Sequence, residues 1–182
     1  MLVLASNSAT RAQILKEAGF DFIQKGVDFD ESSIKNSSAS KLVYQIAKGK
    51  WQRYMSLFGE KDSVICADTV VVCKGRILGK ANDASEARQM LELQSGAKVD
   101  ILTAMIYHTP ILHLEELAVT SYLFESYDPK DLQDYLESNE WEGKAGACMV
   151  EGFCKPYIKN VLGFESTAKG LCIETLQPFL DF

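Results

Sequence analysis

No stretch of this chain approaches the ~18 consecutive apolar residues that a membrane span requires. Leu2 to Ala5, the first apolar run, is too short for a secretory leader and lacks its basic flank. Cysteine is sparse and unpatterned: Cys66, Cys73, Cys148, Cys154 and Cys172 form an odd set without a CxxC pair. Only His108 and His113 could complete a zinc site, so neither structural zinc nor a disulfide framework is expected. Reduced thiols serving as small core residues are the simpler reading. Excess positive charge is missing as well, with 19 basic against 25 acidic side chains and a net charge of -6. A broad nucleic-acid surface is therefore not expected, whereas an anionic small molecule stays open if the basic residues gather locally. Repeats, low-complexity tracts and flexible linkers are also absent. These absences together point to a cytoplasmic protein with no membrane or nucleic-acid partner.

What is present is ordinary for a folded chain: 182 residues, 47% hydrophobic and 24% charged. That length fits one domain, or two lobes around one sheet, and buries roughly 70% of the unfolded surface. Leu2 to Ala5 reads as a buried strand and Arg11 to Ala18 as a helix, with Ile14, Leu15 and Ala18 at helical spacing and Gly19 as its stop. FDFIQKGV suggests a second strand. Leu42, Ile46, Trp51, Tyr54 and Phe58 suggest a long helix from Ser40 to Phe58, inside which Gly49 costs ~1 kcal/mol against alanine. Such a glycine needs a reason, and close approach of a ligand is one. SVICADTVVVCKGRIL predicts a strand turning at Lys74-Gly75 into a hairpin. Asp83, Glu86 and Gly96 supply the cap, capping-box partner and stop of another helix. KVDILTAMIYH and LEELAVTSYLFESY predict a long hairpin, and Asp128 with Pro129 opens a further helix. AGACMVEG and YIKNVLGF read as strands and GLCIETLQPFL as a last helix.

Two places carry chemistry. The first apolar run stops in Ser6, Asn7, Ser8 and Thr10, with Arg11 just inside the helix. A strand running through small polar residues into a helix leaves outward N–H groups that suit a phosphate, and an arginine adds a planar fork. Plain helix capping accounts for the same serines. Asp68 interrupts VICA and TVVV, an otherwise buried run, where an unpaired charge would be costly, so either a cation faces it or it caps a local turn. Lys50, Lys80 in GKANDA, Lys144 in EGKAGA, and the carboxylates Asp30 and Glu31 are the candidates for company, although single surface lysines are common. Gly79-Lys80 is not a Walker A loop, since the upstream glycine spacing and the following Ser or Thr are missing.

Taken in order, LASNSATRAQIL, DFDE, IAKGK, ICADTVVV, ILGKANDASEARQML with LQSG, EGKAGACMVEG and GLCIETL resemble the pattern of the Maf proteins, nucleoside triphosphate pyrophosphatases of the ITPase-like superfamily. The blocks span Leu4 to Leu176. The resemblance implies a single Maf-like domain over residues 1–182, of α/β class, with a curved mixed β-sheet flanked by helices and two lobes with a central cleft. It implies cleavage between the α and β phosphates of a nucleoside triphosphate, a divalent metal such as Mg2+ or Mn2+, and a homodimer. Asp68 matches the proton acceptor and Glu31 an essential acidic position, both near the metal; Lys50 and Lys80 match catalytic basic positions, and Ser6, Ser8, Arg11 and Lys144 the phosphate site. An alternative is a nucleotide-binding regulator of septation with little hydrolysis.

The chain departs from the family pattern at three points. Ser8-Ala9-Thr10-Arg11 stands for SPRR or SPWR, Gly49 for a common glutamate, and Ala81 for proline. Three positions sort the family by base: Thr69 resembles the dTTP/UTP branch, Glu151 the 7-methyl-GTP branch, and Thr10 neither. An ionised glutamate accepts only, which suits the N–H donors of a guanine edge and favours a guanine-like or broad substrate over dTTP and UTP.

Overall fold

The computed structural model describes residues 1–180. Among them, seven strands are hydrogen-bonded in the order β2-β1-β3-β5-β6-β7, with β4 pairing β3. They are β1 (Leu2–Leu4), β2 (Ile23–Gln24), β3 (Ser63–Cys73), β4 (Arg76–Leu78), β5 (Lys98–Thr109), β6 (Leu112–Phe124) and β7 (Ile158–Leu162). The helices are α1 (Ala9–Glu17), α2 (Ala39–Phe58), α3 (Ala84–Gln94), α4 (Pro129–Ser138), α5 (Glu165–Ala168) and α6 (Ile173–Leu180). The mixed α/β class expected from the sequence is what forms. The chain divides into two compact units. The first holds Met1–Thr69, Thr103–Ala118 and the segment from Ser166 onward; the second holds Val70–Leu102 and Val119–Glu165.

The first unit is built from parallel crossovers. β1 pairs in parallel with β2 on one side, Val3 opposite Ile23, and with β3 on the other, Val3 opposite Val64. Alternate residues of a strand face opposite sides, and both sides are used here. Leu4, Ile65 and Ala67 join Ile14 and Leu15 of α1 in one apolar cluster, while Val3, Ala5, Val64 and Cys66 join Tyr54 of α2 in another. This double burial is why the strands read as unbroken apolar runs. It also sorts the residues that follow: Asp68 continues the α2-facing set and Thr69 the α1-facing set.

In the second unit Lys74 (φ 48) and Gly75 (φ 74) form the expected tight turn of the β3–β4 hairpin. Asp83 caps α3 by accepting from the Glu86 N–H at 2.8 Å, and Glu86 reaches one residue further back, to the N–H of Asn82 at 2.8 Å. Tyr127, Tyr135, Phe153 and Tyr157 pack ring against ring. The segment AGACMVEG is not the strand its alternating apolar residues suggest. Gly146 and Ala147 take φ of 63° and 55° in succession, a left-handed pair that no strand contains, and the segment folds as turns. FDFIQKGV contributes only the two-residue strand β2.

Candidate functional site

At the end of β1 the chain passes through Ser6, Asn7 and Ser8 into α1. Ser8 caps the helix, its hydroxyl accepting from the Arg11 N–H at 3.3 Å, and its own N–H donates to Ser6 Oγ at 3.2 Å. The capping reading of these serines is therefore correct as far as it goes. Arg11 adds more: Nε donates to the Gly170 carbonyl at 2.8 Å, Nη1 to Ser6 Oγ at 3.1 Å and Nη2 to Thr69 Oγ1 at 3.2 Å. Each terminal nitrogen keeps a second N–H, so the guanidinium is anchored without being used up. Dense surroundings pull its pKa below the usual arginine value, against the pull of Asp68 and Glu31. Thr10 stands half-buried in the first turn of the same helix.

Three charged residues meet nearby. Lys50 Nζ lies 2.7 Å from Glu31 Oε1 and 2.8 Å from Asp68 Oδ1, so one ammonium joins two carboxylates from three separate segments. The local folding explains each position. Asp30 caps the short 3-10 turn Glu31–Ser33 by accepting from the Ser32 N–H at 3.0 Å, and Glu31 opens that turn. Phe29, just before it, lies against α2 at Gly49; a Cβ there would come within 2.2 Å of the ring. The reason for that glycine is thus a neighbouring aromatic ring and not a ligand.

Asp68 is only 7% exposed. Burial raises its pKa above the ordinary carboxylate value; Lys50 and then Arg11 pull it back, and Glu31 adds to the rise. Cys66, two residues earlier, is pushed up to about 12 by burial, which makes it a core thiol and not a nucleophile.

Lys80, Lys144 and Glu151 belong to the second unit. A single bridge joins Lys80 to Ala145, and the Gly146 N–H donates to the Gly79 carbonyl at 2.7 Å, so the two lysine-bearing loops are tied by their backbones. Lys144 Nζ lies 3.0 Å from Glu151 Oε1, while Lys80 is exposed. Beneath them Gln94 donates to the Gly146 carbonyl at 2.7 Å and Tyr135 to the Ala147 carbonyl at 3.0 Å. These two bonds hold the left-handed pair in place.

Comparison with known proteins agrees with this arrangement of blocks. A family model described as Maf-like protein matches residues 1–181. The chain belongs to the Maf-like family. A relative from a Nitratiruptor species, named nucleoside triphosphate pyrophosphatase, is 51% identical over 178 residues, covering 97% of this chain and 96% of its own. One from Campylobacter jejuni, with the same name, is 39% identical over 183 residues, 99% of this chain and 100% of its own. Among solved structures, the Staphylococcus aureus Ham1 protein aligns over 99% of this chain and 97% of its own, with a TM-score of 0.52 at 15% identity, a likeness of fold.

Within this Maf-like chain, Glu31, Lys50 and Asp68 are joined directly, and Ser6, Ser8, Arg11 and Thr69 form a second network that touches the first through the charge of Arg11 on Asp68. Four participants escape the sequence reading. Gln24 donates to the Ser6 and Ser8 carbonyls at 2.9 and 3.3 Å and so holds the serine loop. Thr103, Thr167 and Gly170 lie behind Thr69 and Arg11. Thr103 leaves a signal, being the one hydroxyl inside the apolar run ILTAMI, the same kind of interruption that marks Asp68. Among the described residues no three or more His, Cys, Asp or Glu side chains gather as a metal site, and no helix is long and apolar enough to cross a membrane.

Proposed function

We propose that this Maf-like protein hydrolyses nucleoside triphosphates between the α and β phosphates, as a single domain over residues 1–182, releasing a nucleoside monophosphate and pyrophosphate. The observation that carries this reading is Lys50 held between Glu31 and Asp68 at 2.7 and 2.8 Å. The names of the relatives from Nitratiruptor and Campylobacter support it. A triphosphate brings about four negative charges, and attack by water adds an electron-rich oxygen, so screening charge is the main task. The serine loop offers hydroxyls, Arg11 its spare N–H groups, and Lys50 a fixed positive charge. Asp68, with its raised pKa, accepts the proton of the attacking water. In the second unit Lys80 and Lys144 are assigned to phosphate and Glu151 to the base on the family pattern.

Glu31 and Asp68 are hard oxygen donors, the kind that Mg2+ or Mn2+ takes together with waters and substrate oxygens. They fit a divalent ion and are the residues that would hold it. When bound, the ion supplies further neutralisation of phosphate charge. A guanine-like or broad base preference follows from the acceptor-only Glu151 carboxylate. Five free, buried thiols suit the reducing cytoplasm, and removal of unwanted nucleotides is the role that fits there. A homodimer, which the family resemblance suggests, is tested by light scattering.

The test is a panel of triphosphates with Mg2+, scored for monophosphate plus pyrophosphate, in the native protein and in Asp68→Asn. Pyrophosphate from the native protein and little from the variant supports the reading. Tight nucleotide binding without pyrophosphate rejects it in favour of a nucleotide-binding regulator of septation.

A further inference from the structure

A pair of thiols that the hydrolysis does not use meets in the second unit, where Cys148 Sγ lies 3.6 Å from Cys154 Sγ. The backbone brings them together. The Cys154 N–H donates at 3.0 Å to the carbonyl of Met149, the neighbour of Cys148, and the Gly152 N–H donates to the same carbonyl at 3.1 Å. The turn that these bonds close carries Glu151, whose carboxylate pairs with Lys144 at 3.0 Å. Tyr127 donates its hydroxyl proton to Cys154 Sγ at 3.7 Å. With the Cys148 thiol as a second donor, Cys154 is pulled below the ordinary thiol pKa against the effect of burial. Cys148 goes the other way, because its bond to Cys154 and its burial both hold its proton. Burial raises Cys73 and pushes Cys66 and Cys172 up to about 12. Cys154 is thus the nucleophilic thiol of the five, with a protonated partner beside it.

We propose that Cys148 and Cys154 form a reversible disulfide on exposure to hydrogen peroxide, and that closing it shifts the turn that carries Glu151 and slows hydrolysis. The disulfide stands on the thiol geometry; its effect on turnover rests on the pyrophosphatase reading. The thiolate is the attacking species. Cys154 Sγ attacks one peroxide oxygen, the O–O bond breaks, and the other oxygen leaves as water, with a sulfenic acid formed at Cys154. Cys148 Sγ then attacks that sulfur, the S–O bond breaks, and the hydroxyl leaves as a second water with the Cys148 proton. Both thiols are oxidised and one peroxide is reduced. Cys148 is 9% exposed and Cys154 0%, which favours an oxidant little larger than water. A disulfide brings the sulfurs from 3.6 Å to about 2.05 Å, and the short turn between them must follow.

The experiment treats the native protein with hydrogen peroxide, unfolds it in urea, alkylates it with iodoacetamide and weighs the peptides. Cys148 and Cys154 are expected to lose their labels together, in a peptide lighter by two hydrogens that dithiothreitol restores, while Cys66, Cys73 and Cys172 still label. Turnover is expected to fall about tenfold or more, as small displacements around a reacting centre do, and to recover with dithiothreitol. Cys148→Ala and Cys154→Ala are expected to keep their turnover through the same treatment. Both thiols still labelled, or each oxidised without the link, overturns the disulfide. A linked protein with unchanged turnover overturns its control of hydrolysis. Should a variant fail to fold, recovery of the native protein with dithiothreitol still decides. If no triphosphate yields pyrophosphate, the pyrophosphatase reading fails and the peptide mass still decides the disulfide.

Discussion

The ring of Phe29 occupies the space in which a side chain at Gly49 would stand, its tip 2.2 Å from that ideal Cβ position. Two residues beyond Phe29, Glu31 reaches Lys50, the neighbour of Gly49. The contact therefore packs the segment that carries Glu31 against the helix that carries Lys50. Gly49→Ala gains up to ~1 kcal/mol in helix propensity and forces the half-buried ring aside at a similar cost. Thermal stability is expected to stay within about 1 kcal/mol of native while turnover falls at least tenfold. A circular-dichroism melt beside a pyrophosphate assay reads both.

Asp68→Asn is expected to reduce turnover by ~10² to 10⁴, the usual worth of a general base. Its effect on stability has a sign fixed by burial. The native pKa lies above the unfolded one, so the protonated form favours folding; that contribution is complete below the unfolded value and is lost as pH climbs through the native value. Relative to the native protein, the variant should gain stability as pH rises from acid to neutral, measured by urea titration at several pH values.

Lys50 pairs with both Glu31 and Asp68, and only 13% of its side chain is exposed. Lys50→Met strands the nearly buried Asp68 carboxylate without its bonded cation, and removal of one partner of such a pair costs about 3 kcal/mol. The loss should be largest at neutral pH and shrink in acid, where protonation removes the charge. Urea midpoints at the two pH values check this.

Lys144 and Glu151 are one-quarter exposed, so water screens their pair. Glu151→Gln should leave stability within ~1 kcal/mol. An amide both donates and accepts, and base preference should move toward UTP. A GTP-to-UTP ratio unchanged from native would remove Glu151 from base recognition.

Chelation gives a further check. Treatment with EDTA should abolish pyrophosphate release, with recovery on adding Mg2+ or Mn2+, and Glu31→Gln should raise the metal concentration needed for half-activity.

Much of the fold is legible in the sequence because double burial leaves plain marks. β1 and β3 are apolar on both faces, so Asp68 stands out against them, and its demand for a facing cation is met by Lys50. Ser8, Asp83 and Asp128 announce their helices through local capping chemistry. Long-range packing is harder to read. Nothing local to Gly49 reveals that Phe29 will lie on it, and AGACMVEG alternates like a strand while Gln94 and Tyr135, outside that segment, hold it in turns. Thr103 is easily passed over because a threonine in a strand is commonplace, and its bonds to Thr69 and Thr167 join residues far apart in the chain.

All five cysteines are free and buried, which hands the experimenter a built-in clock. Iodoacetamide should leave the native protein unmarked and label only molecules that have opened, so the rate of alkylation reports how often each region comes apart. Cys66 times the strand that carries Asp68, and Cys148 with Cys154 times the loop that carries Glu151, without a single mutation.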